Sequence, residues 1–388
     1  MTYEFGPAAQ KRMDSYFDVE IASLLRNKNQ RAAFALYAMG ILGDAERKSV
    51  EPLVARTASE PGQVDALHQR VLHFLGAATW DDHGVRLFAA NYGIAAMVQR
   101  APIRYWLVDD TGFLKQGTHS VGVQRQYTGS AGKVTNCQVG VSLSVSTSQA
   151  HLPIDFALYL PESWMNDLKR RTEASIPEGL SFQTKPQLAL AMITQAVADG
   201  IAPGVVLADS AYGVQRSFRE GVLGLGLEYG VGITSALRVQ VVNAQGVLGP
   251  RSSVRIVAER MGRSAFRRIT WREGTRRKME SRFAFVRVMV PGQSRRQLLV
   301  IEWPRTEAIP TRYFLCTFDA GMTQRDIVRG LKERYRTEQV YEELKGELGL
   351  DHYEGRKYPG WHHHISVVLS CYAFVLAERE QAFPPSEA

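Results

Sequence analysis

The stretch Arg104-Tyr-Trp-Leu-Val-Asp-Asp-Thr-Gly112 decides which fold the chain is expected to adopt. Its apolar centre is short and follows a proline, which is typical of a buried β-strand. A second run of this kind, Val205-Val-Leu-Ala-Asp209, follows a helical stretch at 185–198. Further strand candidates lie at 121–127, 138–145 and 153–160. Strands that alternate with helix in this way predict a mixed α/β core.

Both apolar runs lead into an aspartate, Asp109 in the first and Asp209 in the second. A carboxylate at the carboxyl end of a buried strand faces the crevice in which α/β sheets place ligands. Two such carboxylates from neighbouring strands can share a Mg²⁺ ion, which prefers oxygen ligands. Each aspartate alone is explained equally well as the cap of a turn or of the following helix.

A third carboxylate lies in a helix predicted to begin with Thr323 as its N-cap and to run towards Leu348. Arg334, Glu338 and Lys345 are offset by four and seven residues, which predicts that they share one helix face. The alternative is a solvated face with Arg–Glu ion pairs, which contribute a few tenths of a kcal/mol.

This set of residues resembles the DDE transposases of bacterial insertion sequences, in the branch with the signature Tyr-x2-Arg-x3-Glu-x6-Lys. Arg334, Glu338 and Lys345 match its last three positions, whereas Leu331 stands where the family has tyrosine.

Other segments carry the same resemblance. Asp109-Asp-Thr is similar to the first-aspartate motif of the family, and Asp209 to the second. The segments 43–49, 344–356 and 360–364 are also similar to family motifs. Asp110 and Glu342 are the alternatives for the first and third carboxylates.

The resemblance implies a ribonuclease-H-like core with a β-rich insertion and a helical N-terminal domain. The expected division is a helical, DNA-binding domain at 1–100, the first part of the core at 101–225, a basic β-rich insertion at 226–310, and the second part of the core at 311–388. Asp109, Asp209 and Glu338 would bind two Mg²⁺ or Mn²⁺ ions, and Arg334 and Lys345 would contact phosphates.

The implied function is hydrolysis of double-stranded DNA at element ends, followed by transfer of the 3′-hydroxyl into target DNA. Pairing two ends implies a homodimer on DNA. Two alternatives stay open: a catalytically inactive regulator derived from a transposase, and a ribonuclease-H-fold nuclease that does not join strands.

The net charge of +8 is concentrated in one segment. Between residues 251 and 296, 13 arginines and one lysine face three glutamates, an excess of +11, so the rest of the chain sums to −3. This pattern favours a polyanionic partner. The DNA-binding residues predicted from it are Arg267, Arg268, Arg276 and Arg277, together with Lys133 of a basic loop. The alternative is that these arginines pair with acidic residues elsewhere in the protein.

Other features limit the class of protein. The chain has three cysteines and no C-x-x-C pair, which argues against a disulfide framework and a zinc site. Its start lacks a signal-peptide pattern, and the longest apolar run, 365–377, is too short to span a bilayer. We therefore expect a cytoplasmic, nucleoid-associated protein.

Aromatic residues and histidines suggest two smaller hypotheses. Trp271 and Trp303 lie in the basic segment, where relatives use aromatic residues to hold an extruded base, but core packing explains either one more simply. Of the consecutive histidines 362–364, one is expected to pack inward and the others to contact solvent or DNA, since three successive helix residues cannot converge on one ion.

Overall fold

The strand predicted around Asp109 runs from Tyr105 to Leu114 in the computed structural model of the protein. The structure describes residues 6–57, 61–273, 278–318 and 321–382. Contacts between residues group the chain into unit 1 (residues 1–103, 110–192 and 337–388) and unit 2 (residues 104–109 and 193–336). The strand that contains Asp109 therefore contributes its first half to unit 2 and its second half to unit 1.

The secondary structure alternates as the sequence predicts, with helices before β1 and a mixture of strands and helices after it. The helices are α1 (Pro7–Asp14), α2 (Lys28–Leu42), α3 (Val50–Thr57), α4 (Val64–Gly76), α5 (Asp82–Val98), α6 (Glu162–Met165), α7 (Leu168–Glu173), α8 (Lys185–Ala198), α9 (Ser210–Gly213), α10 (Arg216–Gly224), α11 (Val254–Met261), α12 (Gln324–Leu331), α13 (Tyr335–Gly346) and α14 (Tyr358–Ala382). The strands are β1 (Tyr105–Leu114), β2 (Gln124–Thr128), β3 (Lys133–Ser146), β4 (His151–Tyr159), β5 (Val205–Ala208), β6 (Tyr229–Ile233), β7 (Arg238–Val242), β8 (Leu248–Ser253), β9 (Arg267–Glu273), β10 (Lys278–Met289), β11 (Arg296–Trp303) and β12 (Arg312–Cys316).

Unit 1 is built around α14. This helix is buried from residue 363 to residue 377 and packs against α2, α4 and α5. A helix that is apolar on all sides belongs in a core, and the run 365–377 is of this type. Two of the helices that pack against it begin at capped positions: the Asn27 side chain accepts hydrogen bonds from the first turn of α2, and the Asp81 side chain accepts one from the first turn of α5.

The strands of unit 1 are antiparallel. β3 lies between β1 on one side and β2 on the other, and its second half pairs with β4 in the register Val141↔Ala157. α5 and α14 pack against β4. The helices of unit 1 thus bury one side of a hairpin that neighbours the second half of β1.

Unit 2 contains the parallel strands of the fold. The order of its strands is β1-β5-β6-β12-β11-β10-β7-β8, and β9 pairs with β10. β1, β5 and β6 are parallel to one another, and the strands from β12 onwards pair antiparallel. Ile327, Val328 and Leu331 of α12 are buried in the same hydrophobic cluster as Leu107 and Leu207 of the parallel strands.

The predicted mixed α/β class is confirmed, and two details differ from the predictions. The basic segment contains a helix, α11, among its strands, and Ser253 caps it through the Ile256 N–H. The single helix predicted from Thr323 to Leu348 is two helices with a turn at 332–334, although Thr323 is the N-cap as predicted. The division into four domains remains a prediction.

Among the described helices, none has both the length and the hydrophobicity that a bilayer crossing needs.

Candidate active site

Asp109 and Asp209 follow paired positions on two neighbouring parallel strands of unit 2. Leu107 of β1 is in register with Leu207 of β5, and each aspartate comes two residues later. Side chains two residues apart on a strand point to the same face, so the register puts both half-buried aspartates on one face of the sheet. Asp209 directly follows β5 as predicted, but the expectation that β1 ends at Asp109 is wrong because the strand continues to Leu114.

Asp209 also begins a helix. Its Oδ1 accepts a hydrogen bond of 2.8 Å from the Ala211 N–H and so caps α9. β6 lies against this turn: a Cβ at Gly232 would stand 2.8 Å from the Ser210 nitrogen, so the close approach requires glycine. The capping role and a ligand role are compatible, because a carboxylate has lone pairs for several partners.

The two consecutive aspartates of β1 have different cationic partners. In unit 2, Arg334 Nη2 lies 3.0 Å from Asp109 Oδ2. In unit 1, Lys185 Nζ lies 3.2 Å from Asp110 Oδ1. Successive strand residues point to opposite faces, so only Asp109 projects on the face that it shares with Asp209. This alternation favours Asp109 over Asp110 as the functional carboxylate.

Arg334 lies in a turn, not in a helix. α12 ends before it, α13 begins after it, and backbone hydrogen bonds across this turn span three residues where an α-helix spans four. The change of phase means that Arg334 does not share a continuous helix face with Glu338 and Lys345. The sequence prediction was wrong on this point, although Arg334 does contact one of the two predicted aspartates.

The side chain of Lys332 anchors the same turn. Its Nζ lies 2.5 Å from Glu302 Oε2 of β11 and 5.0 Å from the centre of the Trp271 ring, with the rings of Phe283 and Phe314 at 5.8 and 5.7 Å. Burial lowers the pKa of Lys332, and the Glu302 carboxylate, which is 2% exposed, opposes that shift. Sequence reasoning missed this pair, because nothing local marks Glu302 as its partner.

The other two members of the predicted set lie on α13 within unit 1. Glu338 is exposed in the first turn of the helix. Lys345 Nζ donates hydrogen bonds to Thr111 Oγ1 at 2.8 Å and to the Gly112 carbonyl at 2.7 Å. Burial lowers the pKa of Lys345. Lys345 therefore attaches α13 to the second half of β1, a contact that the predicted phosphate-binding role did not include.

The region of the chain that contains Asp109 and Asp209 also matches the model of a known protein family. A model described as DDE superfamily endonuclease matches residues 20–278. The chain belongs to the DDE superfamily endonucleases. Over 352 residues, it is 25% identical to a probable transposase for insertion sequence element IS701 from Microchaete diplosiphon, covering 90% of this chain and 83% of that protein. The resemblance to insertion-sequence transposases is thus confirmed.

The oxygen donors at this site are of the type that a divalent metal ion takes. Asp109 and Asp209 offer carboxylate oxygens on neighbouring strands, which is the donor chemistry that Mg²⁺ and Mn²⁺ prefer. The guanidinium of Arg334 already neutralises one of them, as a cation would. Within the described ranges, no three His, Cys, Asp or Glu side chains form a group that could hold a metal. Glu338 as a third ligand stays a prediction.

The arginines predicted to bind DNA lie at the surface as far as the structure describes them. Arg267 and Arg268 are exposed at the start of β9, and Arg268 forms an ion pair of 3.8 Å with a glutamate of β10. Lys133 is exposed at the start of β3. Arg276 and Arg277 lie outside the described residues. The DNA contacts of all five remain predictions.

Trp271 and Trp303 pack within unit 2. Trp271 meets Phe283 edge to face with ring centres 5.8 Å apart, and Trp303 meets Phe266 in the same way at 5.2 Å. Both indoles are partly buried, so core packing accounts for them, as expected from their size.

The consecutive histidines pack into unit 1 of the endonuclease. His364 is fully buried, with Nδ1 2.8 Å from the Tyr37 hydroxyl, and His363 is buried against Trp80. Burial lowers the pKa of His364 to about 3, so it is neutral at physiological pH. The prediction of one inward histidine is therefore wrong: at least two point inward, because α14 is buried on all sides.

Proposed function

We propose that this chain is a transposase that hydrolyses phosphodiester bonds at the ends of its element and joins the freed 3′-hydroxyl to target DNA. In this proposal, Asp109, Asp209 and Glu338 bind divalent metal ions. The observation that carries it is the parallel register of β1 and β5, in which Leu107 pairs with Leu207 and each aspartate follows two residues later. Membership of the DDE superfamily endonucleases and the likeness to a probable transposase support the same conclusion.

The strand order supports a ribonuclease-H-like core. Unit 1 has the order β4-β3-β1 with antiparallel pairing of β3 and β4, and unit 2 has the order β1-β5-β6 with parallel pairing. A sheet of this type places ligands at the carboxyl ends of its parallel strands, and Asp109 and Asp209 each follow the last paired positions of β1 and β5, Leu107 and Leu207, by two residues. The strands from β7 to β11 then form the β-rich insertion.

The proposed chemistry needs a nucleophile that is active at neutral pH and compensation of the negative charge that develops on phosphorus. Bound divalent ions supply both. Asp109 and Asp209 would place them just beyond the parallel pairing of β1 with β5. Arg334 already lies at the Asp109 carboxylate. Its planar guanidinium would suit a phosphate bound there.

The proposal assigns supporting roles to α13. Glu338 is four residues beyond Arg334 in the chain, and Arg334 contacts Asp109. This short connection supports Glu338 as the third ligand. An ammonium group has three donors, and Lys345 uses two of them on Thr111 and Gly112. One N–H of Lys345 therefore remains for the proposed phosphate contact.

The proposal is tested with a supercoiled plasmid that carries the DNA flanking the protein's own gene. Incubation with the protein and Mg²⁺ or Mn²⁺ should cut both element ends and join them to a second DNA, and the protein should pair the ends as a homodimer. Cutting without joining would replace the proposal with a nuclease, and binding without cutting would replace it with a regulator.

A further inference from the structure

Arginine side chains of unit 2 collect beside the turn that carries Arg334. They come from four separate places in the fold: the residue before β1, β9, α12 and the start of α13. These residues are Arg104, Arg272, Arg329 and Arg336. Arg336 forms an ion pair with Glu333 of the turn at 2.9 Å. The other three are exposed at the surface of unit 2.

Direct contacts place the side chains of Arg272 and Arg329 beside the turn. The guanidinium carbon of Arg272 lies 4.5 Å from the centre of the Tyr335 ring. Arg329 Nε donates to the Trp271 carbonyl at 3.4 Å, one residue before Arg272 in β9. Tyr335 directly follows Arg334, the residue that contacts Asp109. The arginines therefore begin beside the candidate active site and extend along α12 and β9.

The charges of the arginines also act on a common carboxylate. Burial raises the pKa of Glu333, and the charges of Arg336, Arg104, Arg272 and Arg329 lower it. All four guanidiniums are therefore near enough to act on this one group.

The carboxylates near these arginines do not balance their positive charge. Glu333 pairs with Arg336. At the start of α12, Asp326 Oδ2 accepts a hydrogen bond from the Thr323 hydroxyl, and the Asp326 N–H donates one to Thr323 Oγ1. Within the part of the chain that the structure describes, Arg104, Arg272 and Arg329 form no ion pair. Guanidiniums that outnumber the carboxylates near them repel one another, so binding an anion at their surface is favoured.

We propose that Arg104, Arg272 and Arg329 form a binding surface for the phosphate backbone of DNA, beginning at the Asp109 carboxylate. The planar fork of arginine suits phosphate oxygens, and a row of such groups matches the repeated charges of a duplex. The inference rests on the proposed function, because it places the backbone next to the bond that the site would cut. Of the arginines in the basic segment, it selects Arg272.

The test compares two triple variants that remove the same charge. In the first, Arg104, Arg272 and Arg329 are each replaced by Gln. In the matched control, the exposed Arg251, Arg260 and Arg296, from β8, α11 and β11, are each replaced by Gln. Binding of a short DNA duplex of mixed sequence is measured by fluorescence anisotropy from low to high salt. A third variant with Lys at 104, 272 and 329 keeps the charge, and melting curves establish that each variant folds.

The first triple variant should bind more weakly, and its slope of log affinity against log salt should flatten by up to about 0.9 for each lost phosphate contact. The variant with Arg104→Lys, Arg272→Lys and Arg329→Lys should keep most of the wild-type slope. In the control triple variant, the slope should change by less than the amount that one phosphate contact contributes, about 0.9. Equal slopes for the two Gln triples would overturn the inference. Wild-type protein that binds DNA but cuts neither element end would overturn the proposed function and leave the binding surface standing.

Discussion

Lys332 and Arg334 are cations of one turn, but their ion pairs differ in exposure to solvent. Lys332 is paired with Glu302 at 2.5 Å, where the two side chains are 14% and 2% exposed. Arg334 is paired with Asp109 at 3.0 Å, where the exposed fractions are 27% and 15%. Aromatic rings lie around Lys332 in the first pair, whereas the second pair lies just beyond the parallel register of β1 and β5.

This difference in exposure distinguishes an ion pair that stabilises the fold from one that can exchange a partner. A buried pair has lost the hydration of both charges, so removing either partner leaves a charge without compensation. A pair that water still reaches can exchange one partner at lower cost. We infer that Lys332 fixes the turn, and that Arg334 can leave Asp109 when a metal ion or a phosphate arrives.

The largest expected effect comes from removing the carboxylate of the exchangeable pair. Asp109→Asn should lower DNA cutting by at least about 10³-fold, because a lost metal ligand removes several kcal/mol of transition-state stabilisation. Melting temperature and DNA affinity should stay close to wild type. A plasmid-cutting assay with matched protein concentrations measures the loss, and cutting within a few-fold of wild type would end the assignment of Asp109.

Breaking the structural pair should act on stability first. Lys332→Met leaves Glu302 buried without its closest cation, which costs about 3–5 kcal/mol in comparable cases. The melting temperature should therefore drop by several degrees. The double variant Lys332→Met with Glu302→Gln should recover much of the loss, since no buried charge remains uncompensated. A single variant that melts like wild type would show that the turn does not depend on this pair.

Replacing Arg334, the other cation of the turn, should lower activity more than stability. Arg334→Gln should reduce cutting by about 10²-fold, a typical loss for one group that stabilises transition-state charge. Its effect on the free energy of unfolding should be about 1 kcal/mol or less. Arg334→Lys should recover part of the activity. If Arg334→Gln lowered the melting temperature as much as Lys332→Met, the contrast between the two pairs would be lost.

The smallest effect is expected at the neighbouring aspartate. Asp110→Asn removes the partner of Lys185 but not a carboxylate on the face of Asp209. Cutting should stay within a few-fold of wild type. A loss as large as that of Asp109→Asn would mean that Asp110 is the ligand.

Local patterns in the sequence were enough to predict the elements that present the aspartates. The runs 104–109 and 205–209 are short, apolar and followed by polar residues, and the helix at 185–198 was predicted with the bounds it has in the structure. These features depend on neighbouring residues in the chain. The register that brings Leu107 beside Leu207 depends on how the strands pair, which the single sequence does not encode locally.

Long-range contacts account for the predictions that were wrong. The helix expected from 323 to 348 has continuous helix-like spacing, yet it breaks where Lys332 reaches Glu302, 30 residues earlier. Lys345 bonds to Thr111, 234 residues earlier, a contact that its spacing did not predict, while its phosphate contact stays a prediction. Helix propensity is weak evidence that tertiary contacts can override. No residue close in the chain indicated either partner.

The most direct test of the central claim is the binding of Mn²⁺, followed by electron paramagnetic resonance in the presence of DNA that flanks the protein's gene. We predict that the wild type and Asp110→Asn bind Mn²⁺ with similar affinity, and that Asp109→Asn and Asp209→Asn each bind it at least about tenfold more weakly, a loss of about 1.4 kcal/mol. Wild-type affinity in both Asp109→Asn and Asp209→Asn would contradict the account, because the metal would then be held elsewhere.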